Sequence, residues 1–61
     1  MKVLILEDEP LASDKLEKTL LEVEPNATVV AKLQTVAAAA EWLENNPHPE
    51  LILTDVRLLD G

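Results

Sequence analysis

The stretch KVLIL at positions 2–6, followed at once by Glu7 and Asp8, decides the fold of this chain. An uninterrupted apolar run of this length is typical of a strand that is buried on both faces of a sheet. The two acids that follow it mark the point where the strand ends and a loop begins. We therefore expect residues 2–6 to form a central strand with an acidic carboxyl end.

A helix is predicted directly after this strand, over residues 10–24. Pro10 suits a first helical position, and Asp8 or Glu9 can cap the helix start. Four apolar residues share one helical face at spacings of four, four and three, which predicts the buried side of the helix. They are Ala12, Leu16, Leu20 and Val23.

The rest of the chain alternates between strand and helix patterns. Residues 27–33 read ATVVAKL, a β-branched run that favours a second strand, and residues 50–54 supply a third. Between them Thr35 is a predicted cap for a helix over residues 35–45. The expected buried stripe of that second helix is Val36, Ala39, Ala40 and Leu43. The order strand, helix, strand, helix, strand predicts an α/β fold with parallel strands and right-handed crossovers.

Composition limits the partners of the chain. Its 61 residues carry a net charge of -7, which disfavours binding to nucleic-acid phosphates and to anionic membranes. No apolar run approaches the roughly 20 residues of a membrane span. There is no cysteine, so a disulfide cannot stabilise a chain this short, and a partner chain could supply the missing core.

Acidic residues follow two of the three predicted strands. Glu7 and Asp8 come after the first strand, and Asp55 comes after the third. In an open parallel sheet, ligands collect outside the carboxyl ends of the strands, and carboxylates that converge there suit Mg²⁺. A carboxylate can also attack phosphorus as a nucleophile. The residues alone leave a second interpretation open, in which the acids only cap helices or face solvent.

Two segments resemble the receiver domains of two-component response regulators. VLILEDEP at residues 3–10 is similar to the first strand of that family, with its acidic pair and proline, and PELILTDVRLLDG at residues 49–61 is similar to its phosphorylation strand and following loop. The ending VRLLDG is most similar to regulators with a LytTR-type DNA-binding output domain. The resemblance implies the first half of a flavodoxin-like (CheY-like) fold, with three of its five strands in the order 2-1-3.

The resemblance also implies roles for individual residues. Asp55 would accept a phosphoryl group from a sensor histidine kinase. Magnesium would be bound by the carboxylates of Glu7, Asp8 and Asp55 and by the backbone carbonyl of Arg57. The chain would be a cytoplasmic signalling domain rather than an enzyme.

The family uses a serine or threonine after its fourth strand and a lysine after its fifth, and nothing in these 61 residues matches either. We therefore expect residues 1–61 to be the N-terminal part of a receiver domain with little signalling competence alone. The bare edge of the third strand, residues 50–54, predicts a homo-oligomer. The alternatives are a non-catalytic oligomerising module and, less favoured, an unrelated magnesium-dependent phosphotransfer enzyme. Trp42 is predicted to pack and His48 to be solvated.

Overall fold

The structure, a computed structural model, describes residues 1–54 and contains three strands and two helices. In chain order the elements are β1 (Lys2–Leu6), α1 (Pro10–Val23), β2 (Thr28–Leu33), α2 (Val36–Asn45) and β3 (Leu51–Thr54). β2, α2 and β3 each begin one residue later than expected, and α1 ends one residue earlier. No helix within this described part is long and apolar enough to cross a membrane.

The three strands form one parallel sheet in the order β2-β1-β3. This confirms the predicted α/β class and the 2-1-3 order of the first half of a flavodoxin-like sheet. β1 and β2 pair with a shift in register between Val3 and Leu4, whereas β1 and β3 pair without interruption from Val3–Leu51 to Leu6–Thr54. Because β2 and β3 lie on opposite sides of β1, the strand order reverses at β1, which is where open α/β sheets bind ligands.

β1 is buried on both faces, as its sequence predicts. Val3, Leu4 and Ile5 are completely buried, and each face of the strand belongs to a different core cluster. On one face Val3 packs with Leu20 and Ala27, and Val29 and Leu53 pack against this cluster. On the other face Leu4 and Leu6 pack with Ala39, supported by Trp42 and two β2 residues, Ala31 and Leu33. The helices therefore cover the sheet from both sides.

The predicted buried face of α1 is only partly right. Leu20 is buried, but Val23 is 73% exposed and Ser13 is buried instead. Ser13 and Leu20 are seven residues apart and share one helical face. The face that meets the sheet is therefore rotated toward Ser13, which leaves Val23 on the flank of the helix.

The predicted stripe of α2 is also too wide. Ala39 is buried, whereas Val36 and Ala40 are exposed. Trp42 is half buried and packs against the Leu4 and Leu6 cluster, which confirms its predicted packing role. The predicted cap is correct, because the Thr35 hydroxyl oxygen accepts a hydrogen bond from the Ala38 backbone N–H at 3.0 Å.

Candidate functional site

The carboxyl ends of β1 and β3 lie side by side. Leu6 is the register partner of Thr54, so the two strands end at the same edge of the sheet. Glu7 and Asp8 follow Leu6 in the chain, and Asp55 follows Thr54. The predicted positions Asp55 and Arg57 lie outside the described residues, so their predicted roles stay predictions.

Glu7 is fixed at the start of α1. Its side chain is buried, with only 2% of the residue exposed. Its backbone N–H donates to the Leu33 carbonyl at 2.9 Å, which continues the β1–β2 hydrogen-bond ladder past Leu6. Its carboxylate Oε2 accepts a hydrogen bond from the Glu9 N–H at 3.0 Å, next to the positive end of the helix dipole. Glu7 therefore binds the backbone of the N-cap residue Glu9, although no side chain caps the first turn of α1.

An ionised carboxylate has two oxygens and about four lone-pair sites, so the Glu7 side chain can accept more than one hydrogen bond. Its Oε2 accepts from the Glu9 N–H, and the Glu9 side chain makes no cap of its own although Glu9 is the N-cap residue. Glu7 thus holds the start of α1 at the carboxyl end of β1.

Asp8 lies in the opposite environment. It is exposed in the bend that joins β1 to α1. Among residues 1–54, no hydrogen bond or ion pair involves its side chain. The capping interpretation therefore finds no support at Asp8. An exposed carboxylate at the carboxyl end of the central strand is free to take up a partner.

The donor chemistry of this edge fits magnesium. Mg²⁺ prefers hard oxygen ligands, keeps several waters and uses one or two carboxylates together with phosphate oxygens. Glu7 and Asp8 supply such oxygens, and the exposure of Asp8 leaves space for bound water. Within the described residues no group of three His, Cys, Asp or Glu side chains could hold a metal ion. A third ligand would come from beyond Thr54.

A surface ion-pair cluster beside this edge was not foreseen from the sequence. Lys32, on β2, donates hydrogen bonds to Asp14 and, at 3.0 Å, to Glu17, both on α1. The hydrogen bond with Asp14, and then that with Glu17, raises the pKa of the Lys32 ammonium. The spacing of Asp14 and Glu17 by three residues places them on one helical face, which is the only signal available in the sequence.

A polar cavity lies between this ion-pair cluster and Glu7. Its volume is about 170 Å³, and its lining consists of Glu7, Pro10, Ser13, Asp14, Lys32, Leu33 and Gln34. We call it the Ser13 cavity. No pattern in the sequence indicates this cavity, because a serine between an alanine and an aspartate on a helix is ordinarily solvated.

His48 lies apart from these groups. It is exposed in the turn between α2 and β3, as predicted, and takes part in none of the hydrogen bonds found within residues 1–54. Nothing in the described part of the chain assigns it chemistry.

Comparison with known proteins gives one informative similarity. No family model matches the chain, and no solved structure matches it. The chain is similar to the sensory transduction protein LytT of Enterococcus faecalis (strain ATCC 700802 / V583). The two are 40% identical over 60 residues, which cover 98% of this chain and 24% of LytT. The chain thus spans about a quarter of the length of that relative. The similarity supports a relationship to response regulators, which the motifs at residues 3–10 and 49–61 indicate.

Proposed function

We propose that this chain is receiver-type phosphoacceptor sequence of a two-component response regulator, in which Asp55 takes the phosphoryl group. One observation carries the proposal: the in-register pairing of Leu6 with Thr54, which ends β1 and β3 at the same edge of the sheet. The similarity to LytT over nearly the whole chain supports it. The pairing matters because a shared acidic site needs the two strand ends to be neighbours.

The proposed chemistry is transfer of a phosphoryl group from a histidine kinase to a carboxylate. A carboxylate oxygen of Asp55 attacks the phosphorus of a phosphohistidine, the P–N bond breaks, and an acyl phosphate forms while the imidazole takes up a proton. Magnesium, when bound, neutralises charge on the phosphoryl oxygens. Glu7 and Asp8 would hold it together with Asp55 and the Arg57 carbonyl.

Glu7 and Asp8 have different roles in this proposal. Asp8 is exposed and unpaired among residues 1–54, so it serves as a direct ligand of the metal. Glu7 is buried and tied to the Glu9 N–H, so it acts from a fixed position, directly or through a metal-bound water. A rigid carboxylate behind an accessible one orients the site without closing it to the phosphodonor.

The central test is phosphorylation of the 61-residue chain by acetyl phosphate and Mg²⁺, followed by intact mass. The 61 residues hold nothing that matches the family's later serine or threonine and lysine, so we expect slow transfer and a long incubation. The expected product carries one phosphoryl group. D55N should abolish the gain, and D8N should slow it by at least about tenfold, as loss of metal-site groups does.

The matched control is E44Q, which removes an exposed acid from α2. It should leave the rate unchanged, because Glu44 lies in the last turn of α2, whereas the carboxyl edge of the sheet leads into the first turn of that helix. A mass gain that persists in D55N would refute the assignment of Asp55. Equal slowing in D8N and E44Q would show a general effect of net charge instead of a metal site.

A second candidate function is assembly through β3. Within residues 1–54 β3 is an edge strand, and its Leu51 and Ile52 are 39% and 43% exposed. An apolar edge strand of this kind pairs readily with another chain. We propose a second copy as the partner, related by a two-fold axis.

Sedimentation velocity at micromolar concentration tests this second candidate. The chain should sediment as an oligomer, and I52K should convert it to a monomer by placing a charge on the edge. T28K places the same charge on the exposed first residue of β2 and should leave the oligomer intact. A folded wild-type monomer would contradict the assembly proposal, and it would leave the phosphorylation test unaffected.

A further inference from the structure

The Ser13 cavity contains a polar atom without a partner. Ser13 is only 5% exposed, and its hydroxyl Oγ is fully buried with no hydrogen-bond partner among the described residues. Buried hydroxyls in native proteins are nearly always hydrogen-bonded, to protein or to ordered water. The hydroxyl of Ser13 therefore requires a partner that the neighbouring side chains do not provide.

The cavity has the size and the polarity to hold that partner. Its volume of about 170 Å³ exceeds the roughly 30 Å³ share of one water molecule in the liquid. Its lining offers carboxylate, ammonium, amide and hydroxyl groups, and a buried water typically needs two to four such partners. A dry cavity would be lined by apolar side chains, which here are only Pro10 and Leu33.

Glu7 lines the same cavity. Its carboxylate Oε2 accepts a hydrogen bond from the N–H of Glu9. Glu9 is the N-cap residue of α1 and lies one turn before Ser13. A water molecule that accepts from the Ser13 hydroxyl can donate to the Glu7 carboxylate, and a water that bridges two polar groups is nearly as good as a direct hydrogen bond.

We propose that Ser13 is a positioning residue for Glu7, acting through water bound in the Ser13 cavity. The bridge fixes the Glu7 carboxylate at the start of α1 and so presents it to the carboxyl edge of β1. The effect on magnesium rests on the proposed function, whereas the effect on Glu7 itself does not.

The first readout is independent of magnesium. NMR of the metal-free protein should show long-lived water contacts at Ser13. In S13A the bridge is lost, so the Glu9 amide proton should shift and exchange faster, because its acceptor is the Glu7 carboxylate. S13T keeps the hydroxyl and should restore the wild-type amide signal. T19A removes an exposed hydroxyl from the same helix and should leave the Glu9 amide unchanged.

The second readout is magnesium affinity by calorimetry. S13A should raise the Kd for Mg²⁺ by about tenfold, the lower end of the loss seen when groups that orient metal ligands are removed. S13T should rescue the affinity, and T19A should match the wild type. Ala is the best helix former, so S13A keeps α1 intact.

The outcomes separate the two proposals. If no bound water is detected at Ser13, or if the Glu9 amide is the same in S13A and T19A, the positioning role is wrong. If the Glu9 amide responds as expected while wild-type protein binds no Mg²⁺, the positioning role stands and the proposed metal site fails. If the amide responds and Mg²⁺ binds equally well to S13A, positioning does not reach the metal.

Discussion

The two neighbours of β1 pair with it in the same parallel sense but are held very differently. β2 is joined to α1 by Lys32 through Asp14 and Glu17, and its last carbonyl, at Leu33, receives the Glu7 N–H. Both β2 and β3 are edge strands within the described residues, but β3 leaves Leu51 and Ile52 partly exposed. The β2 side of the sheet is held to α1 by these contacts, whereas the β3 side is accessible to other molecules.

The acids that follow β1 differ in the same way. Glu7 is buried and tied to both β2 and the start of α1, whereas Asp8 is exposed. The fold therefore holds one of two adjacent carboxylates in place and leaves the other exposed to solvent.

The largest effect should come from removing core volume on β1. Leu4 and Ile52 are register partners on neighbouring strands, so they form a matched pair. L4A should lower the free energy of unfolding by about 2–5 kcal/mol, because Leu4 is completely buried and a cavity would remain. I52A should cost less than half as much. Urea unfolding followed by circular dichroism measures both.

Equal losses of unfolding free energy in L4A and I52A would contradict the expectation that Ile52 is less buried than Leu4. They would mean that Ile52 is covered in solution, as it would be in the proposed oligomer. Repeating I52A across a range of protein concentrations distinguishes the cases, since a loss that depends on concentration reports association.

A smaller effect is expected at the connection between the two sides of the sheet. Thr35 follows β2 and caps α2, the helix that leads to β3. T35A should lower the free energy of unfolding by about 1 kcal/mol, since the Ala38 N–H loses its acceptor. T19A removes a hydroxyl from an exposed helical site and should cost nothing. Thermal unfolding of the two variants checks the difference. If T35A is as stable as the wild type, the cap does not contribute to stability.

The smallest effect is expected from the ion pairs that hold β2 to α1. Because hydrogen bonds to Asp14 and Glu17 raise the pKa of Lys32 in the folded state, the stabilisation is complete below the ordinary pKa of a lysine. It is lost as the pH rises through the higher folded-state value. The Tm of wild-type protein should therefore exceed that of K32M slightly at neutral pH, and the difference should vanish at strongly alkaline pH.

Salt gives an independent check of the Lys32 prediction. The side chain of Lys32 is 32% exposed and that of Asp14 is 68% exposed, so solvent ions screen the pairs strongly. The difference in Tm between wild type and K32M should shrink as salt is raised to about 1 M. A difference that is insensitive to both salt and alkaline pH would mean that the aliphatic stem of Lys32 provides the stabilisation by packing.

The order of the elements along the chain and the central strand could be predicted from the sequence because their determinants are local. A continuous apolar run at residues 2–6 has few alternatives, and Thr35 directly before an alanine-rich stretch indicates a cap. The 2-1-3 order came from the resemblance of residues 3–10 and 49–61 to receiver domains, since periodicity alone does not choose between neighbours.

The burial of Ser13, the exposure of Val23 and the Lys32 ion pairs could not be predicted in this way. Each depends on how α1 is rotated against the sheet, a small angle that several apolar stripes on one helix can satisfy. Glu7 and Asp8 were predicted together as magnesium ligands, a role that stays a prediction, yet only the structure separates a buried helix-start carboxylate from an exposed one. The role of Asp55 stays a prediction that the phosphorylation assay tests, and that of the Arg57 carbonyl stays a prediction.

The alternation of β1 between its two core clusters makes the strand sensitive to its reading frame. Val3 serves the α1 side and Leu4 and Leu6 serve the α2 side. Deleting one residue inside the strand would turn every following side chain to the opposite face. Such a deletion would exchange the side chains that pack in the two core clusters. It would also turn Glu7 away from the helix start that it now holds.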